Sequence, residues 1–485
     1  MLPRVLFSGG WYLNFMFKSI LFRKRQACEA QDTIRGVVEA CADCDSCRFL
    51  MDRSCLLFPE LYRIYDKEKE DRRPAKDQEL LDLPELCTLC GLCPCPNIRD
   101  DVIRGKTQRV CKEGMSLPVR LLADVQSVAR WSAPISRVLN AVLKFEPIAR
   151  LAKKMAKIHP QRQIPLIARK NFFEWTQEKG LNRHRDQYPK VAYFAGCTAG
   201  YFFPQVARAV VRVLEQNGVA VYVPPQQCCG MPTLVEGDKP TTIERVQSNL
   251  KILLETARRG YDLVCSCPTC GFLMKVLLRE KAIYSETYQR CVDAGADEIK
   301  LPDPKAGKAG EFIRLKKSMY QAILKDDGYF SDLDPLDRIA LSDQVMDMGP
   351  YLDRLYRENR FNIQFGKLKG NMVYFAPCHQ REQEIGTPYE KLLHLIPGLS
   401  VRRIGGTMDC CGMGGSLGYK KKFHEASLSL GKPLIEKIRA ASPDAIITDC
   451  LSCRLQFTHT LPYPVLHPLE LISQAYSKDY IEELI

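Results

Sequence analysis

Residues 226–232 read QQCCGMP, and residues 408–414 read MDCCGMG. A second pair of matching stretches precedes them, VAYFAGC at 191–197 and MVYFAPC at 372–378. A C-x-x-C follows in each copy, and equivalent cysteines are separated by 181 to 183 residues throughout. A nearly constant offset over so many matching positions indicates one folded unit that the chain uses twice.

Each copy brings together one isolated cysteine, an adjacent pair and a C-x-x-C. The first group is Cys197, Cys228, Cys229, Cys267 and Cys270, and the second is Cys378, Cys410, Cys411, Cys450 and Cys453. Thiolate sulfur is a ligand that suits iron–sulfur clusters and zinc. Adjacent cysteines do not readily join to each other as a disulfide, whereas both can ligate a multi-iron cluster. The repeat therefore predicts two metal sites and not a collection of inert buried thiols.

Two further cysteine runs lie nearer the N-terminus. They are Cys41, Cys44 and Cys47 followed by Cys55, and Cys87, Cys90 and Cys93 followed by Cys95 and Pro96. This arrangement resembles a bacterial two-cluster ferredoxin, in which the fourth cysteine of each run ligates the other cluster. The resemblance implies two [4Fe-4S] cubane clusters, one held by Cys41, Cys44, Cys47 and Cys95, the other by Cys87, Cys90, Cys93 and Cys55.

The spacing of the fourth cysteines leaves alternatives open. Seven residues separate Cys47 from Cys55 and one separates Cys93 from Cys95, where about three are usual. Cys111 or Cys28 therefore remain alternatives for the fourth ligands. Zinc ribbons also use C-x-x-C pairs, but the third cysteine of each run and the proline after the last one favour iron–sulfur.

The two cysteine-rich repeats after a two-cluster motif resemble a known iron–sulfur family over about residues 36 to 475. The family includes heterodisulfide reductase and the C subunit of anaerobic glycerol-3-phosphate dehydrogenase. The resemblance implies one or two further [4Fe-4S] clusters in the repeats, which are of the non-cubane type in related disulfide reductases. It also implies an oxidoreductase subunit in anaerobic respiration.

The resemblance implies electron transfer between a flavoprotein dehydrogenase, or another donor, and a quinone or thiol/disulfide acceptor. The chain has no dinucleotide-binding G-x-G-x-x-G after a strand and no phosphate-binding G-x-x-x-x-G-K-[ST] loop, so a partner is expected to carry the flavin or nicotinamide. One alternative is a catalytic heterodisulfide reductase subunit. Another is a zinc-dependent nucleic-acid-binding protein, but its aromatic-interleaved motif is missing and no nucleic acid is expected.

The predicted fold class is α/β with a helical N-terminal part. An α-helical, two-cluster ferredoxin-like domain precedes two repeated α/β cysteine-rich domains, whose ligands follow the carboxyl ends of strands. The predicted divisions are an apolar and basic segment at 1–35, the ferredoxin-type domain at 36–115, a basic amphipathic connector at 116–188, the first repeat at 189–290, a helical insertion at 291–370 and the second repeat at 371–485.

The charge is concentrated in one part of the chain. Of a net +13, residues 101–190 contribute 19 Lys/Arg against 7 Asp/Glu. The amphipathic helices predicted there fit either an anionic membrane surface or a connector packed across the domains.

The apolar residues 1–25 end in Arg23, Lys24 and Arg25 and fit either an interfacial anchor or a segment packed on protein.

No run long enough to span a membrane is found in the sequence. The 22 cysteines fall mostly into metal-type groups, which favours a reducing compartment. The expected location is the cytoplasm, with peripheral contact at the cytoplasmic face of the inner membrane.

Overall fold

The computed structural model describes residues 29–303, 311–320 and 324–477. The predicted apolar segment at 1–25 and Cys28 lie outside these residues. All the cysteines in the described part of the chain are free of disulfides. None of the helices in these ranges is long and apolar enough to cross a membrane.

The first two cysteine runs lie on a helical unit. Its helices are α1 Ala30–Cys44, α2 Ser46–Leu50, α3 Leu57–Asp71, α4 Asp77–Asp82 and α5 Pro96–Glu113, with a 3-10 turn at Leu83–Leu86. The apolar sides of α1, α3 and α5 meet through Ile34, Leu61 and Val102. Pro96 begins α5 at a position where a missing N–H costs little, so the helix starts directly after Cys95. Helices α3 and α4 separate the two cysteine runs.

Four short helices form the basic connector. They are α6 Leu117–Ala123, α7 Val125–Ser132, α8 Ser136–Lys144 and α9 Glu146–Met155, with a 3-10 turn at Ala133–Ile135, and α10 Phe172–Glu178 follows after an irregular stretch. The predicted amphipathic helices are therefore present. Ile135 and Val138, which belong to the predicted apolar face, are exposed. A connector packed across the domains would bury them.

The first α/β unit begins at a strand that precedes Cys197. Its elements are β1 Lys190–Phe194, α11 Gly196–Tyr201, α12 Pro204–Gln216, β2 Ala220–Tyr222, α13 Met231–Val235, α14 Lys239–Arg258, β3 Asp262–Cys265, α15 Pro268–Gly271, a π-helical turn Phe272–Leu277, α16 Arg279–Ala282, α17 Glu286–Cys291, β4 Glu298–Pro302, β5 Phe312–Lys316, α18 Lys317–Tyr320, α19 Pro335–Gln344, β6 Val345–Asp347 and α20 Met348–Arg357. Strands β2, β1, β3 and β6 form a parallel sheet in that order.

The second α/β unit repeats this plan. Its elements are β7 Gly370–Tyr374, α21 Cys378–Arg381, α22 Pro388–Leu393, β8 Leu399–Arg403, 3-10 turns Leu417–Tyr419 and Lys421–Phe423, α23 His424–Ala441, β9 Ala445–Ile447, α24 Leu451–Thr460, β10 Val465–Leu466 and α25 Pro468–Ala475. Its parallel sheet has the order β8, β7, β9, β10, the counterpart of the first sheet strand for strand.

The prediction of a helical insertion at 291–370 needs correction. This range contains the antiparallel hairpin of β4 and β5, and strand β6, which completes the first sheet beside β3. Strand β6 is only three residues long, and its partner lies about eighty residues earlier. A short strand whose pairing is that remote leaves no local pattern in the sequence.

The two α/β units share one apolar core. Helix α12 of the first unit packs along α25 of the second, and Val210, Tyr351, Leu392 and Ile472 belong to the same buried cluster. A continuous core between the sheets fixes their relative position, since interiors pack as tightly as organic crystals.

A buried ionic junction joins the helical unit to both repeats. Glu236, from the first repeat, pairs with Lys420 of the second at 2.7 Å and also contacts Ser416. Lys106 of α5 donates to the carbonyl of Val235 at 2.8 Å. Burial alone would raise the pKa of Glu236, but Lys420 and Lys106 hold that pKa below its usual value. Glu236 is therefore charged and serves as the common counterion.

We expect Glu236→Gln to destabilise the protein by about 3–5 kcal/mol at neutral pH, because it leaves two buried ammonium groups without their counterion. Since the folded pKa of Glu236 is lowered, its stabilisation is present above its unfolded pKa of about 4.3 and is lost as the pH falls through the folded value. Denaturant midpoints of the anaerobic holoprotein measure this effect.

Glu255→Gln is the matched control, because Glu255 and Arg259 form a pair in which both side chains are more than half exposed. Such pairs contribute less than about 1 kcal/mol. Equal losses for the two variants would contradict the role of Glu236.

Candidate metal centres

The predicted cysteines lie in four sets, here numbered in chain order. Set I is Cys41, Cys44, Cys47 and Cys95; set II is Cys55, Cys87, Cys90 and Cys93; set III is Cys197, Cys228, Cys229, Cys267 and Cys270; set IV is Cys378, Cys410, Cys411, Cys450 and Cys453. The structure brings the members of each set together.

Set I lies where α1 ends and α5 begins. Burial and the neighbouring Cys47, Cys95 and Cys44 raise the pKa of Cys41 to about 12. Cys95 is thus the nearby fourth thiol, although it follows the other cysteine run. Cys111, the alternative fourth ligand, instead interacts electrostatically with Tyr329 of the first α/β unit. Two thiols of this set, Cys44 and Cys95, are exposed.

Set II surrounds a small enclosed cavity. All four of its thiols line this cavity, and so does Cys410 of set IV. Burial and the neighbouring Cys90 and Cys87 raise the pKa of Cys55 to about 12, and the backbone N–H of Leu57 donates to its sulfur at 3.3 Å. Cys95 therefore lies near the first run and Cys55 near the second, which is the proximity that the proposed exchange of fourth ligands requires.

Set III lies at the carboxyl ends of β1, β2 and β3. The sulfurs of Cys197 and Cys228 are 3.3 Å apart. Thiol contacts continue from Cys228 to Cys229, from Cys229 to Cys270 and from Cys270 to Cys267. Five sulfurs therefore form one connected group at the sheet edge where parallel α/β folds place their sites.

Set IV repeats this geometry at the ends of β7, β8 and β9. The sulfurs of Cys411 and Cys453 are 3.1 Å apart, and Cys411 and Cys453 in turn contact Cys410 and Cys450. Burial, and the charges of Cys90 and Cys411, raise the pKa of Cys378. Because Cys90 belongs to set II, this electrostatic interaction shows that sets II and IV lie close together.

The glycine after each cysteine pair has a steric role. Gly412 has φ +84°, and a Cβ there would clash with the backbone of Ser427 and Gly431 in α23. The hydroxyl of Ser427 donates to the Gly412 carbonyl at 2.6 Å. Only glycine allows the loop that carries Cys410 and Cys411 to lie this close to α23.

Sets III and IV fit a multi-metal cluster. Contact with neighbouring thiols, together with burial, raises the pKa of Cys270 and Cys453, so without a metal these thiols keep their protons. A bound cation reverses that preference, because thiolates are the ligating form. Five sulfurs exceed the four positions of a tetrahedral zinc site, whereas a cluster with several irons offers a position to each.

A buried arginine lies beside each of these two sets. Arg245 of α14 is 6% exposed and interacts electrostatically with Cys228 and Cys197. Arg162, from the irregular stretch between α9 and α10, is 1% exposed, interacts electrostatically with Cys411 and donates to Gln456 at 2.5 Å. Both guanidinium groups favour negative charge on the sulfurs. Sequence reasoning missed both arginines, because nothing in the local sequence marks a cation that becomes buried beside the thiols.

His379 connects three of the sets. Its Nε2 lies 2.8 Å from the carbonyl of Leu89, in the loop of set II, so Nε2 carries the proton and donates. Its Nδ1 then accepts from the hydroxyl of Thr269, between Cys267 and Cys270 of set III, at 2.9 Å. The ring stacks on Phe272 with centroids 4.7 Å apart. The position after Cys378 was the only sequence signal for this residue.

A basic groove of about 1400 Å³ borders set III. Its lining includes Arg130, Arg137, Arg169, Lys170 and Arg208, with Glu174 as a carboxylate among them. Gln126, also in the lining, accepts from the backbone N–H of Cys228 at 2.5 Å. The groove therefore reaches from solvent to the loop that carries the first cysteine pair.

Comparison with known proteins agrees with this geometry. The family described as "Cysteine-rich domain" matches residues 191–275 and again 372–458, which contain the strands and thiols of sets III and IV. The matched ranges leave the helical unit and the connector outside.

Three relatives extend the similarity. The C subunit of the anaerobic glycerol-3-phosphate dehydrogenase of Escherichia coli is 23% identical over 77% of this chain and 81% of its own length. The B subunit of the fumarate reductase (CoM/CoB) of Methanothermobacter marburgensis is 25% identical over 97% of this chain and 78% of its own. An iron–sulfur protein of Methanococcus maripaludis is 23% identical over 56% of this chain and 42% of its own.

The two matched domains and these relatives support the same conclusion as the thiol geometry. The chain contains two cysteine-rich domains and is similar to subunits of anaerobic glycerol-3-phosphate dehydrogenase and of CoM/CoB fumarate reductase.

Proposed function

We propose that this chain is the iron–sulfur electron-transfer subunit of an anaerobic-type oxidoreductase complex. The named relatives, which are subunits of a dehydrogenase and of a reductase, support this role. In the proposal, sets I and II each hold a [4Fe-4S] cubane cluster, and sets III and IV hold one or two further clusters. Such clusters, when bound, accept and donate single electrons.

The shared cavity of sets II and IV is the observation that carries the proposal. Cys410 of set IV lines the same cavity as the four thiols of set II, and Cys90 of set II acts on Cys378 of set IV. A chain that merely stored metal would have no need to place sites from different units against each other. Adjacent sets suit a relay, because electrons pass efficiently only between nearby centres.

Set I suits the uptake of electrons from a flavoprotein dehydrogenase or another donor. Cys44 and Cys95 are exposed, and the neighbouring Phe49 and Leu50 present exposed apolar side chains. An exposed apolar pair beside a redox centre fits the docking of a partner. Most thiols of sets III and IV, by contrast, are buried.

Set III suits the exit toward an acceptor. The basic groove beside it fits a negatively charged acceptor, since cationic walls concentrate anions. The same groove would serve a catalytic disulfide reductase, which is the alternative function. The two functions differ in whether the isolated chain turns a disulfide over.

Reduction of the anaerobic holoprotein with a viologen, followed by a soluble quinone analogue, tests the relay. We expect the chain to be reduced and then reoxidised, without catalytic release of thiols from an added disulfide. Cys410→Ala should slow reoxidation by an order of magnitude or more, because it removes the set IV thiol that lines the cavity of set II. The electron paramagnetic resonance signals of sets I and II should persist in this variant.

Cys291→Ala is the control, because Cys291 is exposed and lies outside all four sets. Equal reoxidation rates for the two variants would contradict the relay order. Continuous thiol production would replace the relay with the catalytic alternative.

The connector supports a second part of the proposal, peripheral contact with an anionic membrane. Trp131 is 84% exposed and Met155 is 73% exposed. Further exposed apolar side chains along the same helices are Leu117, Leu121, Ile135, Val138, Phe145, Ile148 and Leu151. Arg150, Lys153 and Lys154 lie on α9 beside them. Apolar side chains flanked by cations are typical of helices that lie in the headgroup layer.

We expect the holoprotein to sediment with vesicles that contain anionic lipid, and to lose this binding as salt is raised. The triple variant Trp131→Ser, Val138→Ser, Leu151→Ser should bind at least about tenfold more weakly, because each buried apolar side chain contributes roughly 1–3 kcal/mol. Phe49→Ser with Leu50→Ser is the control, since these exposed side chains lie beside set I. Absence of vesicle binding at low salt would contradict the proposal.

A further inference from the structure

Three of the seven histidines lie together beside the second repeat. His159 lies in the irregular stretch between α9 and α10, His424 begins α23, and His459 lies near the end of α24. The rings of His159 and His424 are stacked with centroids 3.7 Å apart, and those of His424 and His459 are 5.7 Å apart. None of these residues belongs to the four cysteine sets.

The central imidazole is buried without satisfying its nitrogens. His424 is 1% exposed, and in the described ranges neither of its ring nitrogens makes a hydrogen bond, although the carbonyl of Gly418 faces the ring. Nδ1 of His159 and Nδ1 of His459 are also buried without a partner among those residues. Each buried polar atom left unpaired costs about 1–3 kcal/mol, so a bound group would stabilise the cluster.

The geometry fits a metal ion. One donor atom from each of His159, His424 and Glu425 lies within 4.8 Å of the other two. Ligands about 2.1 Å from a tetrahedral ion are roughly 3.4 Å apart, so small side-chain rotations close the site. Burial lowers the pKa of His424 and brings that of His459 to about 4, which keeps both rings in the neutral form that ligates metals.

The charges around the cluster make Glu425 necessary. Arg162 acts on both His424 and His459, and Lys153 acts on His459. Arg162 and Lys153 are cations, so they disfavour the binding of a metal cation nearby. The carboxylate of Glu425 offsets these cations, because Glu425 raises the pKa of His424 whereas Arg162 lowers it. Imidazole and carboxylate ligands without thiolate suit a borderline divalent ion such as Zn²⁺ or Fe²⁺.

We propose that His159, His424 and Glu425 bind one divalent cation of the zinc or ferrous type, separate from the cysteine sets, with His459 adjacent. The site joins two segments that already touch. The N–H of His159 donates to the Tyr419 carbonyl at 3.2 Å, and the N–H of Lys421 donates to the Lys157 carbonyl at 2.8 Å. A metal at this point fastens the segment that carries Arg162 against the loop of Cys411.

Zinc uptake by the full-length protein tests the site. The chain is first reconstituted anaerobically with iron and sulfide, treated with a chelator and then given Zn²⁺. We expect one zinc per chain, with nitrogen and oxygen neighbours at about 2.0–2.1 Å in zinc-edge X-ray absorption. Glu425→Gln should weaken zinc affinity by tenfold or more, and because Glu425 is exposed, this change leaves the buried rings in place.

His394→Gln is the matched control, since His394 is exposed and bonds to the Glu390 carbonyl of its own helix. It should bind zinc as the unmodified chain does. A sulfur shell at about 2.3 Å would place the zinc on cysteine and overturn the proposal. No retained zinc, or equal affinity in the Glu425→Gln and His394→Gln variants, would overturn it as well.

Discussion

Buried thiolates are stable only beside positive charge, and this constraint organises the whole chain. A charged sulfur away from water is strongly unfavourable unless it is paired or ligates a metal. The protein places four groups of cysteines around its buried interior and places a buried arginine beside three of them, with Arg99 beside set II. Arg245 faces set III and Arg162 faces set IV, each from outside the loops that carry the thiols. The cysteine loops therefore depend on side chains that lie outside the loops themselves.

Duplication gave two similar sheets, but the surroundings make the two sites unequal. Set IV lies against set II through Cys410 and Cys378. Set III borders the basic groove instead. His379 lies between them, with one ring nitrogen toward Leu89 and the other toward Thr269. In the proposed relay, one copy therefore receives electrons from the helical unit and the other delivers them. The proposed relay follows from this asymmetry and not from the repeat alone.

The sequence predicted the repeated units well, because strands and cysteines recur together at one offset. The ferredoxin resemblance suggested that Cys95 lies near the first run and Cys55 near the second, and the thiols do lie so, whereas their exchange as cluster ligands stays a prediction. It did not predict β6, whose three residues pair with a strand far away in sequence. Nor did it predict the partners of Glu236, since Lys106 and Lys420 come from different units. Patterns of period two or 3.6 report local structure, whereas these features arise only after the units have packed.

The measurement that tests the central claim most directly is the content of iron and acid-labile sulfide per chain, with electron paramagnetic resonance on the same anaerobic sample. The account predicts about 12 to 16 iron atoms, for two cubane clusters plus one or two four-iron clusters in sets III and IV. About 8 iron atoms would leave sets III and IV without clusters and contradict the relay through set IV. Zinc in place of iron would contradict the redox function altogether.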